Sequence, residues 1–243
     1  MLQQIVFCER IINMKTAKGV IFDFNGTLFF DTKFHIKAFK EKLAEAGKPL
    51  PDDHYLIKNV FGKPNATVYR EFFDQNADDE AVRAFATSKE DKYIAYCIEH
   101  PEFMHLVEGA PEMLDYLKEN GIPYALATGS DLGNVEFYLK ELGISKWFDF
   151  GNITYADGKI KGKPNPDIYI TAANKMGLDP SECIVFEDAG SGFRAANAAG
   201  ALAVIAIREE DLPSPIDDSV KVDFEILNYL NYKDIFAKYG LLR

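Results

Sequence analysis

Short apolar runs and helical patterns alternate along this chain, and the run that starts at Val20 reads VIFDFNGTLFFD. Its first three residues are apolar, which is typical of a buried parallel strand. Asp23 interrupts the run where the strand should end, and Asn25-Gly26 then predicts a turn. Burying a carboxylate between two phenylalanines is costly unless a cation or several donors meet it. The alternative at this point is an exposed Asp beside an ordinary turn.

Helical periodicity dominates the next part of the chain. Residues 31–47 carry apolar side chains at the spacing of an amphipathic helix that is ended by Gly47. The same spacing recurs over residues 52–60, 65–73 and 78–98. Because none of these segments alternates like a strand, we expect a helical insertion over residues 32–106.

From residue 108 onward, helical segments alternate with short apolar strands, which indicates a parallel sheet. Further strands are predicted at residues 122–127, 183–186 and 201–207. Asp157-Gly158 predicts a hairpin turn, and residues 224–242 predict a helix that packs against the sheet. The chain is therefore expected to have an α/β fold with about five parallel strands.

Three of the predicted strands end in polar residues, and the carboxyl ends of parallel strands meet at one edge of a sheet. The residues at these ends are Asp23 and Asn25, Thr128 and Ser130, and Glu187 and Asp188. We therefore expect Asp23 and Asp188 to lie close together, with Lys163 of a Gly-Lys-Pro segment nearby. Carboxylates at such a distance need a cation, and an all-oxygen site suits Mg²⁺. Mg²⁺, a lysine and a hydroxyl around a carboxylate nucleophile describe phosphoryl transfer.

Composition narrows the possible partners. The 243 residues carry a formal charge of -11, which argues against nucleic acid or an anionic membrane surface as a partner. Cys8, Cys97 and Cys183 are scattered and form no CxxC pair, so a reducing, cytoplasmic compartment is expected. No apolar run approaches the length of a membrane span. We expect a small-molecule partner and a monomer or weak homodimer.

The first thirteen residues do not resemble a signal peptide, because Glu9 and Arg10 break the apolar stretch and no small-residue cleavage site follows. Met14 is an alternative start. We therefore treat residues 1–13 as an extension of uncertain status.

Four sequence motifs occur in order between Gly19 and Ile207: DFNGTL, ALATGS, GKPNPDIY and VFEDAGSGFRAANAAG. In type, order and spacing they resemble the haloacid dehalogenase-like (HAD) hydrolase superfamily. Thr32, His35 and Ala38 beside Phe39 are further similar to its β-phosphoglucomutase and phosphoglycolate phosphatase branch. The resemblance implies a Rossmann-like α/β core at residues 14–31 and 107–243, with an all-helical cap domain at residues 32–106.

The resemblance also assigns roles to individual residues. It implies that Asp23 is the nucleophile that forms an aspartyl-phosphate, and that Thr128 and Lys163 hold the phosphoryl oxygens. It implies Mg²⁺ as the cofactor, and the implied metal ligands are Asp23, the backbone carbonyl of Asn25, Asp188 and Glu187. The implied substrate contacts are Gly129, Ser130, His35 and Lys63. Some of these side chains have ordinary alternatives, since Ser130 could cap the following helix and Glu187 could simply solvate the acidic edge.

One position departs from the pattern of this superfamily. In its phosphatases and mutases, an Asp two residues after the nucleophile protonates the leaving oxygen and then deprotonates the incoming water or hydroxyl. Here that residue is Asn25, whose carboxamide can do neither. Losing general acid–base help typically lowers a rate about 10²–10⁴-fold.

Four explanations of Asn25 stay open. The protein could be a slow phosphatase, or His35 could stand in as the proton carrier, although a histidine at the start of a helix is the more ordinary explanation. It could be a phosphometabolite-binding pseudoenzyme, or Asn25 could be a substitution introduced to trap a complex.

The function that we expect is Mg²⁺-dependent, slow hydrolysis of a small phosphorylated metabolite. A β-phosphoglucomutase-type mutase is a further alternative, which is weakened because the segment FGKPN offers Lys63 but not the expected arginine. Haloacid dehalogenation needs no metal and would leave Glu187-Asp188 as an unexplained repulsive cluster.

Overall fold

The computed structural model describes residues 16–243, so the predicted extension at residues 1–13 lies outside the described residues. In chain order the elements are β1 (Gly19–Phe22), α1 (Thr32–Glu45), α2 (Asp53–Asn59), α3 (Asn65–Phe72), α4 (Asp79–Glu99), α5 (Ala110–Glu119), β2 (Tyr124–Ala127), α6 (Leu132–Glu141), β3 (Ile153–Thr154), α7 (Asp167–Lys175), β4 (Cys183–Glu187), α8 (Gly190–Ala199), β5 (Ala203–Ile207), β6 (Phe224–Ile226) and α9 (Tyr232–Lys238). Short 3₁₀ helices lie at Pro101–Phe103, Ile144–Lys146 and Pro180–Glu182. Within the described chain, no helix is both long enough and apolar enough to cross a membrane.

A six-stranded parallel sheet in the order β3-β2-β1-β4-β5-β6 forms the centre of the described chain. In the register of β1, Phe22 lies opposite Leu126 of β2 and Phe186 of β4. The chain builds β2 and β3 on one side of β1 and then continues with β4 on the other side. Ligands of open α/β sheets bind outside the carboxyl ends of the strands at such a switch point. The predicted Rossmann-like α/β fold is confirmed.

Both faces of the sheet are covered, which explains why its strands are short and apolar rather than alternating. Val20 and Phe22 of β1 pack into the cluster that includes residues of α5, α6 and α9. Ile21, between them, points to the other face and packs into the cluster formed with α7 and α8. The successive side chains of one strand thus join two cores.

The helices α1 to α4 follow β1 and pack around a cluster of their own, as the helical periodicity predicted. The rings of Phe72, Phe73 and Phe85 each meet Phe39 of α1 edge-on, with centroids 5.4 to 6.5 Å apart. Asp78 caps α4, because its carboxylate accepts the N–H of Ala81 at 2.8 Å. These four phenylalanines are therefore core residues of the helical segment.

Two predicted elements at the edges of the sheet were wrong. Residues 224–242 do not form one helix, because Phe224–Ile226 is a strand paired with β5 and the helix starts only at Tyr232. The sheet therefore has six strands rather than about five. The sixth was not predicted because three residues are too few for an alternating pattern to stand out. In the described chain no strand begins directly after Asp157-Gly158, where the Asp157 carboxylate instead accepts the N–H groups of Lys159 and Ile160. A turn is present, but it leads into a loop and not into a hairpin.

Tyr229, in the loop between β6 and α9, fastens the C-terminal part of the chain to the loop after β1. Its ring lies 5.4 Å from that of Phe186 and 6.4 Å from that of Phe22. Its hydroxyl donates to the backbone carbonyl of Thr27 at 3.1 Å. The C-terminal part of the chain thereby helps to fix the loop that carries Asn25 and Thr27.

We expect Tyr229→Phe to lower the free energy of unfolding by about 1–2 kcal/mol, because the buried carbonyl of Thr27 loses its donor. Urea unfolding followed by circular dichroism measures the change. Tyr232→Phe is the matched control, since the hydroxyl of Tyr232 has no hydrogen-bond partner in the described chain. Equal losses in the two variants would contradict this assignment.

Candidate active site

Strand β1 delivers Asp23 to the crevice at the carboxyl edge of the sheet. The ladder with β4 continues one residue beyond the strand, because the N–H of Asp23 donates to the Phe186 carbonyl at 3.0 Å. The carboxylate is buried, and the ammonium of Lys163, also buried, donates to its Oδ1 at 2.6 Å. Burial raises the pKa of Asp23 to about 7, because the loss of water outweighs the attraction of Lys163.

Glu187, the last residue of β4, is held by four donors. Its Oε1 accepts from the Lys163 ammonium at 2.5 Å and from the Tyr169 hydroxyl at 3.1 Å. Its Oε2 accepts the backbone N–H groups of Asp188 and Ala189, both at 2.6 Å. So many donors fix this carboxylate in place, and it in turn orients Lys163 towards Asp23.

Asp188 completes a group of three carboxylates. It accepts a hydrogen bond from Thr27 Oγ1 at 3.0 Å, and the same hydroxyl lies 3.3 Å from Oδ2 of Asp23. Burial, followed by the charges of Glu187 and Asp23, raises the pKa of Asp188 well above its ordinary value. Oxygen atoms of the three carboxylates lie within 4.8 Å of one another. The predicted meeting of Asp23 and Asp188 is therefore confirmed.

A divalent cation fits this group. The three carboxylates face one ammonium, that of Lys163, so negative charge remains in excess. Closely placed carboxylate oxygens are the donors that Mg²⁺ prefers, and a cation there would offset the excess. Asp23 and Asp188 are the residues that would hold it, whereas Glu187 is already occupied by its four donors.

Two glycines make room for these acids. A Cβ on Gly26, where φ is +74°, would lie 2.1 Å from Oδ2 of Asp188. A Cβ on Gly192 would lie 1.6 Å from Oε1 of Glu187. The carboxylates thus occupy the space that a side chain would need, which explains glycine in both motifs.

Asn25 is fixed at both ends of its amide. Its Oδ1 accepts from the Ser130 hydroxyl at 2.8 Å. Its Nδ2 donates to Oδ2 of Asp31 at 2.6 Å and to the Tyr138 hydroxyl at 2.8 Å. An amide held by these partners is an integral part of the site and carries no transferable proton.

Ser130 does not cap the helix that follows it, contrary to the alternative considered from the sequence. The cap of α6 is Asp131, whose carboxylate accepts the N–H of Asn134 at 3.1 Å. The hydroxyl of Ser130 is therefore free to orient Asn25.

Asp31 brings a further carboxylate beside Asn25. It is fully buried, and its Oδ2 also accepts from the Tyr93 hydroxyl at 2.5 Å. Nε2 of His35 lies 3.4 Å from the same oxygen, and the His35 ring stacks on Tyr93 with a centroid separation of 3.9 Å. The other carboxylate oxygen of Asp31, Oδ1, accepts the N–H of Gly26 at 3.2 Å. Asp31, just before α1, and His35 of α1 thus place a carboxylate and an imidazole next to the loop after β1, and Tyr93 of α4 contacts both.

These groups face a cavity of about 570 Å³ between the edge of the sheet and helices α1 to α4. Its lining includes Asp23, Asn25, Asp31, His35, Lys63, Glu90, Gly129, Ser130, Lys163, Glu187 and Asp188. Burial opposes the charge of Glu90, but Lys89 and His35 outweigh it and lower the pKa of Glu90 to about 2. The volume suits a metabolite of the size of a sugar phosphate.

Two hydrogen bonds beside the cavity join the helical segment to the sheet side. The hydroxyl of Ser191 donates to the carbonyl of Gly62 at 2.9 Å. The Asn134 amide donates to Oε2 of Glu90 at 2.9 Å. Both contacts join the segment between β1 and α5 to the part of the chain that carries the sheet.

The residues predicted from the sequence lie in one place, with one difference. Gly129, Ser130, His35 and Lys63 line the cavity above the carboxylates, although Lys63 also pairs with Glu71 at 2.9 Å. Thr128 is buried, its Oγ1 accepts the N–H of Ser130 at 3.1 Å, and it is not among the cavity-lining residues described here. Its predicted contact with a phosphoryl group stays a prediction.

Several residues of the site were not identified from the sequence. Asp31 was assigned to the start of a helix and Tyr169 was not singled out, although each lies inside or next to a recognised motif. Tyr93 and Tyr138 carried no signal, because only the packing of α4 and α6 brings them to Asn25.

The part of the chain that carries this site matches a known protein family. The family model described as haloacid dehalogenase-like hydrolase matches residues 17–200. The fructose-1-phosphate phosphatase YqaB of Escherichia coli (strain K12) is 32% identical over 186 residues, which span 76% of this chain and 94% of that protein.

Solved structures of haloacid dehalogenase-like proteins have a similar fold. A HAD hydrolase of family IA, variant 3, from Entamoeba histolytica HM-1:IMSS is 33% identical, with a TM-score of 0.79 over 92% of this chain and 99% of that one. The β-phosphoglucomutase of Clostridium difficile, at 24% identity, shares the fold with a TM-score of 0.73 over 92% of this chain and 97% of that one. The four motifs, the sheet order and the matched family model thus agree, and the chain belongs to the haloacid dehalogenase-like hydrolases.

Proposed function

We propose that this hydrolase removes the phosphoryl group from a small phosphorylated metabolite, with Asp23 as the nucleophile and an aspartyl-phosphate as the intermediate. The observation that carries the proposal is the meeting of Asp23, Glu187 and Asp188 around Lys163 beneath a cavity of about 570 Å³. Relatives named as phosphatases, one of them for fructose 1-phosphate, support a sugar phosphate as the substrate.

The chain's own residues position the reactants. Lys163 favours the ionised form of the Asp23 carboxylate and orients it, and its ammonium can neutralise charge on the phosphoryl oxygens. Glu187 holds Lys163 in place. Gly129 and Ser130 line the same cavity, so a bound phosphoryl group would lie against this segment. A bound Mg²⁺ would offset the remaining charge of the carboxylates and of the phosphate.

Asn25 sets the expected speed. Because its amide cannot protonate the leaving oxygen, turnover is expected to be slow unless another group carries the proton. The second candidate is a phosphometabolite-binding pseudoenzyme, and the observation that favours it is the amide of Asn25 held at both ends. The two functions differ in whether phosphate is released.

Further features of the protein belong to this proposal. The core at residues 14–31 and 107–243 and the cap at residues 32–106 would be separate domains that meet over the cavity. The enzyme would act as a monomer or weak homodimer in the cytoplasm.

A phosphate-release screen over sugar and glycolytic phosphates tests hydrolysis. We expect release that requires Mg²⁺, stops with a chelator and is absent in Asp23→Asn, because that amide cannot attack phosphorus. If the parent releases nothing but binds beryllofluoride with Mg²⁺, the pseudoenzyme is correct. Halide release from haloacids in the presence of chelator would contradict phosphoryl transfer.

Asp188→Asn should stabilise the metal-free protein while abolishing Mg²⁺-dependent activity. The folded pKa of Asp188 is raised, so the folded state binds its proton more readily than the unfolded state and loses stability as the pH rises. Removing the charge should therefore raise Tm by about 2–5 °C at pH 8 and less at pH 5.

Differential scanning calorimetry with and without Mg²⁺ measures this, and Mg²⁺ should stabilise the parent but not the variant. Asp218→Asn is the control, since Asp218 is exposed and lies outside the acidic group. A Tm of Asp188→Asn below that of the parent at pH 8 without metal would refute the assignment.

Asn25→Asp should destabilise the protein, because a second carboxylate would replace the amide whose Nδ2 now donates to Oδ2 of Asp31 at 2.6 Å. Such a pair keeps a shared proton in the folded state, so its cost appears as the pH rises. We expect a loss of about 1–3 kcal/mol at pH 8 and a smaller loss at pH 5.

The double variant Asn25→Asp/Asp31→Asn restores one amide and one carboxylate and should recover at least half of the loss. Chemical unfolding of the three proteins at both pH values decides it. No loss in the single variant, or no recovery in the double variant, would show that the Asn25–Asp31 pair does not matter.

A further inference from the structure

Asn25 leaves the proposed hydrolysis without a proton carrier at the usual position, and the surroundings of that position supply another one. Asp31 Oδ2 accepts from Asn25 at 2.6 Å and lies 3.4 Å from Nε2 of His35. Because both contacts share one oxygen, the imidazole lies one side chain away from the Asn25 amide. His35 also lines the cavity that contains Asp23.

We propose that His35, oriented by Asp31, is the general acid and general base of this enzyme; the inference rests on the hydrolysis proposed above. When Asp23 attacks phosphorus and the bond to the leaving oxygen breaks, that oxygen takes a proton from the His35 imidazolium, directly or through one water. In the second step a water attacks the aspartyl-phosphate and gives its proton to the neutral imidazole. This hydrolysis regenerates the Asp23 carboxylate and releases inorganic phosphate, and His35 is again protonated.

The contacts of His35 fit a positioned proton carrier. Its ring is fixed by stacking on Tyr93, with an angle of 5° between the ring planes. The Phe61 ring is a second neighbour, with ring centroids 6.5 Å apart. Nε2 lies towards Asp31, Nδ1 has no hydrogen-bond partner among residues 16–243, and His35 lines the cavity. A carboxylate on one imidazole nitrogen and a free second nitrogen is the arrangement of many catalytic histidines.

The charged and titratable groups that face His35 are few. Asp31 directly precedes α1, the helix that carries His35, and Tyr93 and Glu90 project from α4. Glu90 is itself paired with Lys89 at 2.5 Å. Lys63 lines the same cavity from the segment between α2 and α3.

Leaving-group dependence separates proton transfer from a merely structural role. The 4-nitrophenolate ion leaves without a proton, whereas phenolate and alkoxides need one. In single-turnover experiments with Mg²⁺, His35→Gln should lower aspartyl-phosphate formation from phenyl phosphate about 10²-fold and from 4-nitrophenyl phosphate less than about 5-fold. The limb of the pH profile of kcat/KM that falls at high pH should disappear in the same variant.

Two further variants complete the design. Asp31→Asn should shift that limb and lower kcat more than it changes KM, because it misorients the imidazole without removing it. His54→Gln, an exposed histidine of α2, should behave as the parent. Thermal unfolding of each variant shows whether the fold is kept.

Every outcome is informative. Equal losses for the two substrates, or an unchanged pH profile in His35→Gln, would overturn the role of His35 while leaving hydrolysis intact. A parent that turns over neither substrate would overturn the hydrolysis itself and this inference with it.

Discussion

The buried contact of one ammonium with two carboxylates organises the site. Lys163 reaches Asp23 at 2.6 Å and Glu187 at 2.5 Å, and all three side chains are buried. Removing so many charges from water is costly, and a fold keeps such an arrangement when a reaction uses it. The central position of β1, the two glycines and the donors around Glu187 all serve to hold this group together.

Most of the fold and the floor of the site could be predicted because they depend on local patterns. Short apolar runs marked the strands of a sheet with two covered faces, and acids at their ends identified the crevice. Strand order then brought Asp23 and Asp188 together, a consequence of topology that needs no knowledge of side-chain conformation.

The surroundings of Asn25 could not be predicted, because they depend on packing between distant helices. Tyr93 and Tyr138 reach Asn25 from α4 and α6, and no spacing in the sequence connects them. Asp31 looked like the first residue of a helix, a common place for an Asp. The strand Phe224–Ile226 was missed for a different reason, since three residues carry too little periodicity.

The two hydrogen bonds that join the helices to the sheet side of the cavity differ from the ion pair at its floor in what their loss would cost. Ser191 and Gly62, and Asn134 and Glu90, can each form hydrogen bonds with water when they separate, so breaking these contacts costs little net free energy. The ion pair of Lys163 with Asp23 is buried, and separating its partners would leave uncompensated charges in the interior. The helices are therefore attached to the sheet by weaker polar contacts than those that fix the charged groups beneath them.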